Sequence, residues 1–145
     1  MNQAETLFID TNIPMYAAGG EHPYKESSQQ VLDRLFRGEL RGVTNAEVHQ
    51  EILHRFLALR LPGKARDMSD RFQALVPTVI PVTLQDIVRV RDLSLRYGSL
   101  PARDLVHVAT MLNSGVRTIV SADRHFDQVV ELRRLDPMEA AAAVI

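Results

Sequence analysis

Short apolar runs alternate with stretches of helical periodicity along this sequence, and few folds accept that alternation. Thr6 to Ile9 is a short apolar run that ends at Asp10 and is followed by a polar turn, Asp10-Thr11-Asn12, so it reads as a buried first strand. Pro23 opens a helix carrying Val31, Leu32, Leu35 and Phe36 at helical spacing, and Gly38 closes it. A second strand is expected near Arg41 to Thr44. The next helix runs from about Ala46 to Leu59, with Val48, Ile52 and Phe56 on one stripe, and Pro62-Gly63 ends it. A helix around Ala65 to Leu75 precedes a third strand at Thr78 to Ile80, and another helix spans Leu84 to Tyr97. After Pro101, the segment ARDLVHVATMLNSG places Leu105, Val108, Ala109 and Leu112 on a buried helix face, with Gly115 as its stop. Val116 to Ser121 is the fourth strand, Leu132 to Leu135 a candidate fifth, and a short Ala-rich tail follows. Strands joined by helical crossovers over short connections predict a parallel sheet covered on both faces, with right-handed crossovers.

At 145 residues and 46% hydrophobic content, the chain is long enough for one well-buried core and too short for two ordinary domains, so a single domain over residues 1–145 is expected. The net charge of -1 signals no bulk electrostatic grip on nucleic acid. Of the 17 Lys and Arg residues only Lys25 and Lys64 are Lys, which leans weakly toward forked phosphate recognition. The absence of Cys removes disulfides, thiolate catalysis and Cys-ligated zinc, and fits a reducing compartment. The opening MNQAETLFID has neither a basic segment nor a long apolar run. Neither a signal peptide nor a membrane span is expected, and a cytoplasmic location follows from that reading.

Ligands of doubly wound sheets bind beyond the C-terminal ends of the strands. Asp10 ends the first strand and Asp123 lies just past the fourth, which puts both on that edge. Asp104 falls in the first turn of its helix, whose N-terminus points to the same crevice. Glu51 lies about 60° around its helix from Val48, bordering the buried stripe. Four acids from four distant segments are thereby able to meet in one pocket. Such a cluster is unstable without a cation, because like charges and burial raise carboxylate pKa values. With oxygen ligands only, Mg²⁺ or Mn²⁺ is the expected ion, and phosphodiester hydrolysis the chemistry that follows. Taken singly, each acid has a plainer reading. Asp104 alone reads as a cap or dipole partner, Glu47 and Glu51 as solvated acids on an amphipathic helix, and Asp123 as an N-cap. Asp10 resists that treatment, since an acid ending a buried apolar strand costs stability unless it is paired or functional.

The strings FIDTN, VTNAEVHQEIL, LPARDLVHVATML and TIVSADRHF resemble, in order, the four acidic motifs of PIN domains, over most of the chain from Phe8 to Phe126. The resemblance implies a three-layer α/β/α fold with a parallel sheet of about five strands in the order 3-2-1-4-5. It implies Asp10, Glu51, Asp104 and Asp123 as catalytic and metal-holding acids, a Mg²⁺ or Mn²⁺ cofactor, endoribonuclease activity on single-stranded RNA, and often a homodimer. Many small members are VapC-type toxins held inactive by an antitoxin, so an antitoxin partner is part of the expectation. Thr11, Asn12 and Ser121 stand where ligand-orienting polar residues are usual. Glu51 precedes Ile52-Leu53 as the family's second acid does, and Glu47 is left as an auxiliary candidate. Arg103, His107 and Arg124 flank the acids as phosphate contacts, although His107 fits equally a packed, hydrogen-bonded place on the helix surface.

Three rivals were set against this reading. A response-regulator receiver needs a Lys near its last strands, and no Lys follows Lys64. A haloacid-dehalogenase-type phosphatase needs Asp where this chain has Asn12. The alternative that survives is a non-catalytic PIN-fold module that binds nucleic acid or protein.

Overall fold

The computed structural model describes residues 4–144; residues 1–3 and 145, the two ends of the expected domain, lie outside them. Strand β1 (Thr6–Ile9) is central. It pairs in parallel with β2 (Arg41–Asn45) on one side and with β4 (Thr118–Val120) on the other. The edges are β3 (Val79–Ile80) beside β2 and β5 (Arg133–Leu135) beside β4, also parallel. The strand order is 3-2-1-4-5, as expected.

Parallel neighbours need crossovers, and the helices supply them. Helices α1 (Asn12–Ala18) and α2 (Lys25–Phe36) connect β1 to β2, and α3 (Ala46–Ala58) and α4 (Pro62–Leu75) connect β2 to β3. Helices α5 (Leu84–Arg96) and α6 (Ala102–Asn113) connect β3 to β4. A 3-10 helix (Arg124–Gln128) links β4 to β5, and α7 (Pro137–Ala142) follows. Because the chain reverses direction across the sheet after β3, right-handed crossovers place α1 to α4 on one face and α5 and α6 on the other. Packing follows that division, with α1 on α2, α3 on α4, α7 on α2, and α5 on α6. Helices α3 and α6 also touch, and the site forms at that junction.

Strand alternation feeds both layers. Phe8, fully buried, packs toward α6, its ring centroid 5.5 Å from that of His107. Ile9 points the other way, where Gly42 lets α2 approach. A Cβ on Gly42 would lie 2.6 Å from Leu35 Cδ2 and 3.3 Å from Ile9 Cγ1.

Four local expectations need correction. The stretch after Asp10-Thr11 is helical at once: α1 begins at Asn12 and buries Ile13 and Pro14 before Gly19 and Gly20 end it. At seven residues it is too short to display a periodicity. The following helix starts at Lys25 rather than Pro23, and its Phe36 is 76% exposed despite the matching spacing. Pro62 opens α4 as its first-turn proline, a position where its missing N–H costs nothing. The Ala-rich tail is helix α7, started by a reciprocal capping box between Asp136 and Glu139. Among the described residues no helix is long and apolar enough to cross a membrane.

Candidate active site

The four acids meet on one cavity of about 670 Å³ beyond the strand ends, lined by Asp10, Glu51, Asp104 and Asp123 together with Thr11, Asn12 and Arg103. Asp10 extends the β1–β4 ladder by donating its backbone N–H to the Val120 carbonyl at 3.1 Å, which fixes its Cα. Its carboxylate is then held from three directions. Oδ1 accepts from the Thr11 backbone N–H at 2.8 Å, and Oδ2 accepts from Ser121 Oγ at 2.6 Å and from Asn12 Nδ2 at 3.2 Å. Ser121 is a hub, accepting in turn from Asn12 Nδ2 and from the Asp123 backbone N–H, both at 3.0 Å. Thr11 does double duty, since its hydroxyl donates to Glu51 Oε2 at 2.7 Å.

Glu51 reaches the cavity from the second turn of α3, and its other oxygen, Oε1, lies 2.8 Å from His107 Nε2. Glu47, one turn earlier, is half-buried and does not line the cavity. Asp104 sits in the first turn of α6. Asp123 caps the 3-10 helix by accepting from the His125 N–H at 2.9 Å, so the capping reading and the site position hold together. Arg103 is on the rim, whereas Arg124 is not among the lining residues. His54 and Arg55, three and four residues after Glu51, line the cavity as well. Their spacing puts them on the face that presents Glu51, a signal available in the sequence.

His107 is neither a phosphate contact nor a surface residue; it is fully buried inside α6. Burial pulls its pKa down and the hydrogen bond to Glu51 with the charges of Asp10 and Glu51 pushes it up, the latter prevailing. A second ring proton, on Nδ1, would nonetheless face the Asn45 N–H donor with no acceptor, so the geometry favours the singly protonated ring. Its Nδ1 faces the side-chain N–H of Asn45, the N-cap of α3, at 3.0 Å. Asn45 is the residue of this network that the sequence reading did not mark, and the buried, hydrogen-bonded alternative for His107 is the one the fold realises, inside the helix rather than on its surface.

Burial first, and then the charges of Asp123 and Asp10, push the Asp104 carboxyl up to about 6. Burial likewise raises Asp10, although His107 and Ser121 work against it. Glu51 is lowered, because its partners His107 and Thr11 outweigh the burial that would raise it. Among the described residues no Lys or Arg forms an ion pair with any of the four acids; the basic groups within ion-pair distance are His107 and His125, and Arg103 acts on Glu51 from farther away. Oxygen-rich, negatively charged and without a Lys or Arg ion-paired to it, this donor set fits a divalent cation. Potential ligand atoms of Asp10, Glu51 and His107, and of Asp104, Asp123 and His125, group within 4.8 Å of one another.

The raised Asp104 carboxyl has a measurable consequence. Between the unfolded value of 3.8 and about 6 the native state holds a proton that the unfolded chain releases, so stability falls as pH rises through that window. The metal-free protein is expected to melt at a higher temperature near about pH 5 than near about pH 7. Added Mn²⁺ should raise the melting temperature more at the higher pH, where the proton no longer competes. Calorimetry on the parent beside Asp104→Asn checks this: the pH difference should shrink in the variant, and an unchanged difference would refute the assignment.

A model of the PIN domain matches residues 7–132, and the chain belongs to the PIN domain family. Within it, the chain is 38% identical over 129 residues to ribonuclease VapC13 of Mycobacterium tuberculosis, covering 89% of this chain and 98% of that relative. It is 32% identical over 117 residues to ribonuclease VapC23 of the same species, covering 81% and 92%. Among solved structures, VapBC2 from Rickettsia felis bound to a promoter DNA fragment superposes with a TM-score of 0.72 at 16% identity, over 90% of this chain and 98% of that one. The sarcin-ricin-loop-cleaving toxin VapC20 of M. tuberculosis gives 0.68 at 17% identity, over 88% and 98%. At those identities the two structures share the fold.

Proposed function

We propose that this chain, as a single PIN domain, is a metal-dependent endoribonuclease that hydrolyses single-stranded RNA and serves as the toxin of a VapBC-type pair. The observation that carries the reading is the convergence of Asp10, Glu51, Asp104 and Asp123 on one open cavity with no Lys or Arg paired to them among the described residues. The relatives named above are ribonucleases. Asp10 and Glu51 would hold the ion, with Asp104 and Asp123 completing the negative wall. A divalent cation there lowers the pKa of a coordinated water and offsets charge on the phosphate.

The protein's own part is positioning. Ser121, Asn12 and Thr11 fix both oxygens of Asp10, and Thr11 and His107 fix both oxygens of Glu51, so neither carboxylate has to reorganise as charge develops. Arg55 and Arg103 on the rim offer forked donors for phosphates on either side of the scissile bond. No side-chain nucleophile is required. A homodimer and an antitoxin that covers this cavity complete the proposal. VapBC2 and the toxin-antitoxin complex from Klebsiella pneumoniae are structural neighbours that support the antitoxin partner.

The test is a substrate comparison. Closed-circular single-stranded RNA, the same sequence annealed as a duplex, and single-stranded DNA are incubated with purified protein and Mg²⁺ or Mn²⁺. Linearisation of the RNA circle alone is expected. Cleavage of the duplex or the DNA at equal rate would remove the single-stranded RNA assignment, and a folded protein that binds RNA without cutting it would favour the binding-module alternative.

A further inference from the structure

The amide of Asn45 sits at the centre of a sealed hydrogen-bond network whose donors and acceptors can be assigned one by one. Asn45, His107 and Thr110 are all fully buried, so water supplies none of their partners. Asn45 Oδ1 accepts from the Val48 backbone N–H at 2.9 Å, which identifies the oxygen of the amide. Thr110 donates its hydroxyl proton to the His107 carbonyl at 3.0 Å. Its oxygen is thus left to accept from Asn45 Nδ2 at 2.9 Å. The second Nδ2 proton points at His107 Nδ1, 3.0 Å away, which makes that ring nitrogen an acceptor. The imidazole then carries its proton on Nε2, aimed at Glu51 Oε1 at 2.8 Å, with Asp10 Oδ1 farther off at 3.8 Å. Flipping the amide would set Nδ2 against the Val48 N–H, so the network has one consistent assignment.

We infer that His107 is a positioning residue: fixed by Asn45 and Thr110 as the neutral Nε2–H tautomer, it donates to Glu51 and holds that carboxylate for the cation without ligating the cation itself. Nδ1 is occupied and Nε2 carries the proton, so the ring has no lone pair free for a metal. The grouping of Asp10, Glu51 and His107 reduces to two carboxylates with a donor behind one of them. Thr11 pins the other Glu51 oxygen, and together the two donors leave the carboxylate one orientation. The route from β2 through Asn45 to α6 and back to α3 also ties the orientation of Glu51 to the junction of α3 and α6. The inference rests on the metal-centre reading proposed above.

Two measurements test it. Long-range ¹H–¹⁵N correlation spectra of the metal-free parent should show His107 Nδ1 unprotonated and Nε2 protonated; a protonated Nδ1 overturns the assignment without any variant having to fold. Mn²⁺ titration by electron paramagnetic resonance then compares His107→Asn and His107→Gln, with melting curves for both. Asn keeps an acceptor toward Asn45 and loses the donor to Glu51, and its Mn²⁺ affinity should fall on the order of 10-fold or more. Gln restores an N–H near the Nε2 position and should bind close to the parent. Equal affinity of parent and His107→Asn overturns the positioning role, and an equal loss in both variants points to ligation or packing and overturns it too. A parent that binds no Mn²⁺ fails the metal-centre reading, and the tautomer spectrum separates that failure from one of the His107 assignment.

Discussion

Asp10→Asn is expected to lower the rate of RNA cleavage by about a thousandfold or more, roughly 4 kcal/mol of transition-state stabilisation, with Mn²⁺ affinity falling alongside it. The argument is geometric. Asp10 is 6% exposed, lies at the end of the central strand, and is anchored through its own backbone to Val120, so no neighbouring acid can move into its place. Asn has the same shape and keeps one carbonyl oxygen for the Thr11 N–H or the Ser121 hydroxyl, but it removes the charge. Folding should be affected far less than function. Trading one charge-assisted acceptor for an amide alters stability by about 2 kcal/mol, since one of the two oxygens remains as an acceptor. Single-turnover cleavage, a Mn²⁺ isotherm and a melting curve on the same preparation separate the effects. Loss of activity with undiminished Mn²⁺ binding would place the ion elsewhere.

Phe8→Ala is expected to cost about 3–5 kcal/mol of folding stability, a large part of what a domain of this size possesses. Phe8 is fully buried in the central strand, with paired strands on both sides and the His107 ring against it, so the structure has little freedom to collapse into the space left. Phe8→Leu retains most of the volume and should lose much less. Urea denaturation reads both: the midpoint should drop steeply for Ala with the slope unchanged, and a shift below about 1 kcal/mol would show that the layer between β1 and α6 is loosely packed.

How much of this was legible in the sequence depended on what each residue contributes. Asp10 was readable because an acid ending a buried apolar strand has few innocent explanations, and Asp123, which alone reads as an N-cap, because parallel topology sends strand ends to one edge. Glu51 was preferred to Glu47 on the resemblance, because it precedes Ile52-Leu53 as the family's second acid does, and of the two only Glu51 lines the cavity. His107 was noticed beside the acids, but its depth was misjudged for a physical reason. Helix α6 buries His107, Thr110 and Met111 along with Leu105, Val108, Ala109 and Leu112, so it is covered almost all round. An amphipathic reading assumes one wet face and therefore leaves the imidazole outside. Asn45 was not singled out at all: it is the N-cap of α3, and only the fold brings that amide to a ring 62 positions away. Arg124, in the 3-10 turn after Asp123, does not line the cavity, because adjacency in sequence does not fix direction once the chain enters such a turn. The short helix α1 escaped because seven residues with a proline among them carry no period.

The central claim is that the acid cluster cuts RNA only when it holds a divalent ion. The most direct test strips the purified protein with chelator, verifies by melting that it is folded, and follows cleavage of labelled single-stranded RNA as Mg²⁺ or Mn²⁺ is restored, with Asp10→Asn beside it. Cleavage that is absent in chelator, returns with the ion, and never returns in Asp10→Asn is the predicted result. Cleavage that persists in the stripped protein, or that Asp10→Asn performs as well as the parent, would contradict it.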